Sequence, residues 1–384
     1  MINRLKISRP EAIFMFQRII QFVKKEAVLS LSIFFAAISM LLVPPDSFYL
    51  HYLDLRVLCL MFCLMTVIAG FEAEGVFSVL SQKVLSGGGS IRRLYYILVF
   101  LPFFSSMLVT NDVALLTFVP LALLVLTKVC APWQLMYTVS LQTIAANLGS
   151  MLTPVGNPQN LFLHSFYQLD SADFFSVTAP VVLLSLLLLL LSGLPLRGGT
   201  VTLTFDRPAR LLSSRRVWVY ALLFLFCPLA VFRVIPYPAV TALILAVMLY
   251  LDRGVLKRVD YSLLLTFVCF FIFAGNLSRL DALKNFLRPL LEQHTMPVSL
   301  LVSQVISNVP AAVLLAPFTA DSRGLILGSN LGGLGTLVAS LASLISFRLY
   351  LRLPQSKALP FLAVFTAANL IFLLLLLGFC LCLL

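Results

Sequence analysis

Two polar tripeptides interrupt long apolar segments of this 384-residue chain, and their residue types could do chemistry. Thr110-Asn111-Asp112 lies in the first half, and Ser307-Asn308-Val309 lies in the second. Hydroxyl and amide oxygens can hold Na⁺, while the free N–H groups of a helix that begins inside a membrane attract anions. Such polar groups are costly in hydrocarbon unless they are buried in protein or line a wet cavity. The tripeptides therefore indicate an ion or anion site that is built twice.

Two further interruptions, one downstream of each tripeptide, combine small, polar and helix-breaking residues. Residues 147–158 contain two glycines and two prolines within ten positions, which cannot continue a regular helix. Residues 330–336 contain three glycines. Unwound backbone at membrane depth frees carbonyl groups that can hold a cation. The candidate binding residues of the four segments are Thr110, Asn111, Asp112, Asn147, Gly149, Ser150, Thr153, Asn157, Ser307, Asn308, Asn330, Gly332, Gly333 and Thr336.

Close helix packing is the simpler explanation for any one of these residues, because small side chains let membrane helices approach each other. It explains less well why the segments match. The two tripeptides lie 197 positions apart (111 and 308), and so do the prolines that follow them (120 and 317). The Asn-Leu-Gly runs that begin at 147 and 330 lie 183 positions apart, and the same interval aligns Thr153 with Thr336. This repetition favours binding and predicts an internal duplication.

Two carboxylates are candidates for proton coupling. Asp112 breaks the symmetry of the tripeptides, because its counterpart is Val309. An ionised carboxylate at a membrane-buried tip is costly unless it is paired, which suits a group that carries a proton. The alternative is a structural carboxylate that accepts hydrogen bonds from N–H groups of the turn. Glu74, at the end of a predicted span, is the second candidate, and a solvated interfacial position is its alternative.

The composition sets the fold class that must position these residues. The chain is 61% hydrophobic and only 11% charged, against about 45–50% and 25% in soluble domains. Long apolar runs without strand-like alternation predict an all-α polytopic membrane protein. The net charge of +12 resides in short loops between apolar runs, which argues against a nucleic-acid partner. The cysteines and histidines have no metal-site spacing, so we expect no metal cluster or cofactor other than a coupling ion.

The order of segments predicts two repeats, each with a re-entrant hairpin and a discontinuous transmembrane helix. The predicted parts are a cytoplasmic interfacial helix (1–26), a first repeat (27–195) with a hairpin (about 94–126) and a broken helix (about 133–166), a basic loop and linking transmembrane helix (196–237), and a second repeat (238–384) with a hairpin (about 297–320) and a broken helix (about 324–347). Four crossings per repeat, separated by one linking helix, predict that the second repeat is inverted. This architecture is typical of secondary transporters.

The distribution of positive charge agrees with the inversion. Of the 27 Lys and Arg residues, 21 fall on the side of the N-terminus and six on the other side. Because Lys and Arg concentrate in cytoplasmic loops, the N-terminus is predicted to be cytoplasmic and the C-terminus outside.

The motifs resemble those of the ion transporter superfamily, which includes arsenite permeases, NhaD-type sodium/proton antiporters, citrate-transporter-like permeases and divalent-anion sodium symporters. The resemblance rests on Thr110-Asn111-Asp112 with Pro120, on residues 147–160, on Ser307-Asn308-Val309-Pro310 and on residues 330–335. Within the superfamily the chain most resembles YbiR-like bacterial inner-membrane permeases. The resemblance implies elevator-type alternating access and a homodimer in the bacterial inner membrane.

The resemblance also implies two cation sites formed by hairpin tips and broken helices. By motif, possible Na⁺ ligands are Thr110, Asn111, Gly149 and Ser150 in one site and Ser307, Asn308, Gly332 and Gly333 in the other. Dicarboxylate symporters of the superfamily carry Ser-Asn-Thr at their tips. Asp112 and Val309 depart from that pattern, which argues against dicarboxylate uptake with two sodium ions.

The leading interpretation is a secondary active transporter of a small anion, either an organic carboxylate or an inorganic oxyanion, coupled to protons or sodium. One alternative is a sodium/proton antiporter in which Asp112 exchanges the two cations, and another is an arsenite-type efflux permease. An intramembrane enzyme would need a nucleophile with a base, and no Gly-x-Ser-x-Gly motif occurs. A channel fits less well, because two oppositely facing hairpins suit alternating access. The expected partners are the small anion, the lipid bilayer and a second copy of the chain.

Overall fold

The computed structural model describes residues 26–85, 89–196, 200–201 and 209–383. The interfacial helix predicted over residues 1–26 lies, except for Glu26, outside this part. The described chain is helical, with loops and one antiparallel pair of two-residue strands, β1 (Gly89–Ser90) and β2 (Thr200–Val201). The predicted all-α polytopic fold class is confirmed.

Helices α1 to α9 precede β2, and α10 links the two halves of the chain. Their bounds are α1 (Ala27–Leu42), α2 (Tyr49–Tyr52), α3 (Leu55–Ala73), α4 (Val76–Leu85), α5 (Ile91–Ser105), α6 (Asn111–Val129), α7 (Pro132–Ser150), α8 (Pro158–Phe166), α9 (Ser171–Ser192) and α10 (Ser214–Val231).

The second half contains α11 to α18, with a short 3₁₀ turn at Ala316–Phe318. The bounds are α11 (Tyr237–Leu251), α12 (Arg253–Leu256), α13 (Tyr261–Leu277), α14 (Asp281–Ile306), α15 (Asn308–Leu315), α16 (Ser322–Leu331), α17 (Leu341–Leu351) and α18 (Ala358–Leu383). Both predicted broken helices are interrupted, between α7 and α8 and between α16 and α17. We call residues 151–157 the first break and residues 332–340 the second break.

Helix ends follow from local chemistry. Asp54 and Asp260 are the N-caps of α3 and α13, and each carboxylate accepts a hydrogen bond from the N–H three residues on (3.0 and 2.9 Å). This bond satisfies an N–H that has no partner inside the helix. The two helices open the matched parts of the repeats, so their caps agree with the predicted duplication.

Several predicted spans are shorter or more bent than full crossings. Among the described residues, five helices (α3, α6, α9, α10 and α18) are long and apolar enough to cross a membrane, and α13 with α14, bent by 98°, passes as a sixth span. Helix α14 is itself kinked at His294, between Pro289 and Pro297, because proline removes backbone hydrogen bonds. Helix α6 has 19 residues and is longer than the predicted hairpin arm of about fifteen residues. A helix of this length can cross the membrane, so the re-entrant form of the first hairpin stays a prediction.

Three hydrophobic clusters fix the helix pairs that carry the polar tips. One joins the scaffold of α3, α10, α11 and α13 to α8 and α15. A second joins α5, α7 and α9 to α14, α16 and α18, and a third joins α5, α6 and α7 to α17 and α18. Elements of both halves share every cluster, so the position of each tip depends on the whole chain.

Candidate functional site

The first tip, residues 106–112, comprises the turn between α5 and α6 and the first two residues of α6, and it lies against the first break. The backbone N–H of Asn111 donates to the carbonyl of Gly156 (3.2 Å), and its side-chain amide donates to Asn147 Oδ1 (2.9 Å). The hydroxyl of Thr153 donates to the carbonyl of Met107. Thr110 is the N-cap of α6 with an extended backbone. The tip and the break therefore form one hydrogen-bonded unit.

The second tip is Ser307, between α14 and α15, and it lies against the second break. Its φ of +77° is in the left-handed region, which a residue with a Cβ seldom adopts. The backbone N–H of Asn308 donates to the carbonyl of Ala339 (2.9 Å). The hydroxyl of Thr336 donates to the carbonyl of Gln304 (3.3 Å). This tip and its break are joined in the same manner as the first pair.

The two sets of contacts correspond position by position. In the backbone hydrogen bond, the donor residues of the two tips (111 and 308) are 197 positions apart in the sequence, and the acceptor residues of the two breaks (156 and 339) are 183 positions apart. In the hydrogen bond donated by threonine, the acceptor residues of the two hairpins are 107 and 304, and the threonines of the two breaks are 153 and 336. These pairs are separated by the same two intervals. These equivalent contacts support the internal duplication that the sequence predicts. The opposite orientation of the two halves in the membrane stays a prediction.

Matched glycines allow the close approach of each break to its hairpin. A Cβ on Gly149 would clash with the carbonyl of Phe103 and lie 2.8 Å from Ser106 Oγ. A Cβ on Gly332 would lie 2.6 Å from Ser303 Oγ. Ser106 and Ser303 are again 197 positions apart. Both glycines therefore have a packing role in this structure.

Hydrogen bonds between the halves cross at the two breaks. Asn157 Nδ2 donates to Asn330 Oδ1 (3.1 Å), and Ser340 Oγ donates to Asn147 Oδ1 (3.2 Å). Asn157 and Ser340 are matched positions, 183 apart, and so are Asn147 and Asn330. All four side chains are buried. We call this pair of contacts the crossed bonds.

Further polar contacts complete the buried network around the crossed bonds. Asn330 Nδ2 donates to Asn160 Oδ1 (2.6 Å), and Asn147 Nδ2 donates to the carbonyl of Gly333 (3.3 Å). Asn157 Nδ2 also contacts Ser150 Oγ (3.2 Å). A buried polar network whose members are paired favours one arrangement of its elements. The two breaks are thus held together by side chains and not only by apolar packing.

Both tips face one small cavity of about 20 Å³. Its polar lining comes from Asn111, Asp112 and Gln159 in the first half, from Ser307, Asn308 and Ser340 in the second half, and from Thr266 of α13. This volume is close to that needed for one water molecule, so the cavity fits an ion or a water and nothing as large as a carboxylic acid. The two polar tips therefore converge on a single site.

Asp112 brings a carboxylate into this lining. Its own N–H donates to Asn111 Oδ1 (3.0 Å), as that of Val309 does to Asn308 Oδ1 (3.0 Å). Within the described chain its carboxylate forms no hydrogen bond or ion pair, although it is half-buried. The alternative of a carboxylate that bonds N–H groups of the turn is not observed there. The carboxylate is free to interact with whatever enters the cavity.

Glu74 lies apart from the cavity and the buried network. It is 2% exposed and ion-paired with Arg216 (3.4 Å), which also contacts Asp252 (3.3 Å). This cluster joins the ends of α3 and α11 to the start of α10. The structure thus separates the two carboxylates proposed for proton coupling.

The predicted site residues fall into two groups. Asn111, Asp112, Ser307 and Asn308 line the cavity. The others position these elements. Thr110 is the N-cap of α6, Thr153 and Thr336 donate to hairpin carbonyls, and the glycines allow close approach. Asn147, Ser150, Asn157 and Asn330 form the buried network. Thr336 is exposed and does not line the cavity, so the structure gives no support to its predicted binding role.

Sequence reasoning missed several polar residues that complete the site. Asn160 belongs to the same motif as Asn157 and could have been included. Ser340 lies 183 positions after Asn157, so the repeat interval alone could have found it. Gln304 donates to the carbonyls of Gly332 (2.9 Å) and Leu334 (2.8 Å), and no sequence signal marked it.

Comparisons with known proteins give the context of this geometry. The model of a family described as citrate transporter matches residues 12–323, which include both tips and the first break. An uncharacterised transporter of Methanocaldococcus jannaschii is 33% identical over 301 residues, covering 78% of this chain and 82% of the relative. The inner membrane protein YbiR of Escherichia coli is 33% identical over 293 residues, covering 74% and 77%. An uncharacterised transporter of Mycobacterium tuberculosis is 25% identical over 346 residues, covering 78% and 80%.

Proposed function

Because this chain belongs to the citrate transporter family, and is a membrane transporter and not an enzyme, we propose that it moves a small anion coupled to protons or Na⁺. The anion is an organic carboxylate or an inorganic oxyanion. The membership confirms the resemblance inferred from the motifs. The observation that carries the proposal is the single cavity into which both polar tips and Asp112 project.

The cavity offers an anion dipoles and amides in place of fixed positive charge. Helices α6 and α15 both begin at the cavity, and helix N-termini attract anions. No Lys or Arg is among the described residues that line it. An anion held there needs a cation or a proton beside it, which supports coupling. Asp112 is the proposed proton carrier, and Glu74, which is ion-paired elsewhere, is not.

Oxygen atoms at the tips and breaks support the two proposed Na⁺ sites. Asn111 Oδ1 accepts a hydrogen bond from the next N–H, which leaves a second acceptor position on that oxygen. Asn308 Oδ1 accepts from the next N–H (3.0 Å) and, at 3.5 Å, from Ser307 Oγ. Thr110, Gly149 and Ser150 complete the first proposed site, and Ser307, Gly332 and Gly333 complete the second. In this proposal Na⁺ is cargo and is released at each cycle.

Elevator-type movement is the proposed way of changing access. The hydrogen-bonded unit of both tips and both breaks favours movement as one rigid body. The scaffold of α3, α10, α11 and α13 would stay in place, within a homodimer in the inner membrane. Since the cavity is too small for a carboxylic acid, loading requires the unit to separate from α13.

A sodium/proton antiporter is the second candidate function. The volume of about 20 Å³ favours it, because a cavity of that size fits a bare cation. In this case Asp112 would exchange H⁺ for Na⁺ without an anion.

A thermal-shift screen followed by transport assays separates the two candidates. Purified protein is melted with citrate, succinate, phosphate, sulfate and arsenite, with and without Na⁺, over a range of pH. We expect one anion to raise the melting temperature, more so with the coupling ion, because a ligand that binds only the folded state stabilises it. The anion found is then tested for uptake into proteoliposomes. Sodium-driven proton movement in proteoliposomes without any anion would instead establish the antiporter.

A further inference from the structure

A second and larger cavity, of about 840 Å³, lies on the side of the protein where α3 begins. The start of α3, the end of α8, the loop between α10 and α11 and the end of α13 line it. It shares no lining residue with the cavity between the tips. Its volume lies within the range of small-molecule sites. We call it the outer cavity, because the charge count predicts that this side faces outward.

Positive charge dominates the outer cavity. Arg56 and Arg233 both line it. Arg56 Nη2 donates to the carbonyls of Ala230 and Val231 (both 3.1 Å), which brings its charge to the end of α10, directly before Arg233. Within the described chain the guanidinium of Arg233 has no hydrogen bond or ion pair. Two guanidiniums of like sign beside one cavity favour an anion between them.

The carboxylate of this cavity is already engaged. Asp54 lines it too, but its carboxylate accepts hydrogen bonds from the N–H of Val57 (3.0 Å) and from Ser165 Oγ (2.9 Å). His51, which also lines it, adds positive charge when protonated. The cavity therefore has two guanidiniums against one carboxylate, which leaves an excess of positive charge.

The backbone of Arg233 points independently to a role for its side chain. Its φ of +61° is in the left-handed region, and the next N–H, that of Val234, returns to the carbonyl of Leu229 (2.9 Å). This is the helix-end position where glycine or asparagine is favoured. An arginine in a disfavoured conformation, with its guanidinium in a cavity, suggests a functional reason for the side chain.

We propose that the outer cavity is an anion-capture site, in which Arg56 and Arg233 collect a carboxylate or oxyanion from solution before it reaches the tips. The inference deepens the proposed function and rests on it for the identity of the cargo. The attraction of anions to the cavity does not depend on transport, because charged clefts raise the local concentration of ions of opposite sign.

The charge of the cavity can be measured with thiol reagents of opposite sign. Gln168, exposed in the cavity lining, is replaced by cysteine in the full chain purified in detergent. Labelling rates with an anionic sulfonatoethyl and a cationic trimethylammonioethyl methanethiosulfonate are compared, each corrected for its rate with a free thiol and for the wild-type chain. We expect the anionic reagent to be favoured roughly tenfold. Arg233→Asn and high salt should both bring the ratio towards one.

A matched control removes a different arginine from the same side. Arg279 is ion-paired with Asp46 (2.7 Å) and does not line the outer cavity, so Arg279→Gln should leave the ratio unchanged. Arg233→Asn should melt at the wild-type temperature or above it, because asparagine tolerates the left-handed conformation. An equal ratio with and without Arg233, in folded protein, overturns the proposal. That result would leave anion transport itself intact, because the transport assay is separate.

Discussion

At the scale of the residue, one asymmetric position determines the chemistry of the cavity between the tips. The tips share an asparagine, a backbone bond to a break and a threonine bond to a hairpin arm. They differ at Asp112 and Val309, which both line the cavity. A group that changes charge at one tip only makes the cavity neutral or negative according to pH, while the other tip stays apolar. In the proposed function, coupling to protons would therefore depend on one half of the duplication.

Asp112→Asn keeps the shape of this side chain and removes its ionisable group. We expect transport to slow at least tenfold, equivalent to about 1.4 kcal/mol in the barrier, and to lose its dependence on pH. Uptake into proteoliposomes between about pH 5 and pH 9 measures both effects. Glu292→Gln, at an exposed carboxylate of α14, is the control and should behave as wild type. Unchanged rate and pH profile in the Asp112 variant would remove the proton role.

Sequence predicted the kinds of residue at the site better than their partners. Asn111 and Asn308 could be found because they interrupt apolar runs. Their bonds to Gly156 and Ala339 could not, because those depend on how the helices pack. Gln304 was missed for the same reason. Its role depends on the second break, which lies beside α14 only in the folded chain.

At the scale of the element, the crossed bonds join the first break to the second. Asn157 and Asn330 are both buried, so removing Asn157 leaves Asn330 Oδ1 without this donor, and removing Asn330 takes one acceptor from Asn157 Nδ2. We expect Asn157→Ala and Asn330→Ala each to destabilise the protein by about 1–3 kcal/mol. The double variant should lose less than the sum, with a coupling of about 0.5–3 kcal/mol.

Unfolding in detergent by heat and denaturant measures this cycle. Asn157→Ala combined with Ser356→Ala, at a half-buried serine after α17 that bonds only locally to the carbonyl of Leu351 (3.2 Å), is the control pair and should be additive. Additivity for Asn157 and Asn330 as well would mean that the crossed bond does not contribute to stability.

Close approach of α7 to α5 gives a second prediction at this scale. Gly149→Ala places a methyl group against the carbonyl of Phe103, and backbone cannot move aside as a side chain can. We expect a loss of at least 1–3 kcal/mol, typical of overpacking, together with loss of transport. Gly378→Ala in α18 meets nothing within 4 Å and should be neutral or slightly stabilising. The melting temperatures of the two variants test this prediction, and equal melting temperatures would contradict it.

Helix existence and helix breaks were predictable, while helix lengths were not. Glycine and proline in residues 147–158 and 330–336 disfavour a continuous helix, and the helices of the structure end within these residues. The extent of α6 to Val129 depends on its neighbours, because α6 packs on α7 and α17. The kink in α14 has a cause in the sequence, since Pro289 and Pro297 flank His294.

At the scale of the whole molecule, orientation in the membrane is the main prediction. The ion pairs of Glu74 and Asp252 with Arg216 lie on the side predicted to be cytoplasmic, and that of Arg279 with Asp46 lies on the opposite side. If the halves are inverted, the C-terminus is outside. Alkaline phosphatase fused after Leu384 should then be active and a green fluorescent protein fused there dark, with reversed results for fusions at residue 205. Matching signals at both positions would contradict the inversion.

The crossed bonds suggest that the two halves of the chain can assemble as separate polypeptides. They connect residues before position 196 with residues after position 322, and the three hydrophobic clusters do the same. Covalent continuity between residues 201 and 209 is therefore not what keeps the halves assembled. Two separate polypeptides, divided between residues 201 and 209 and produced together, should co-purify and transport, whereas neither should accumulate when made alone. In such a split protein each half can be exchanged independently. A first half that carries Asp112→Val can be paired with the natural second half, which makes the two tips alike at this position. Comparing transport by the two proteins would show what the divergence of the two halves at this position contributes.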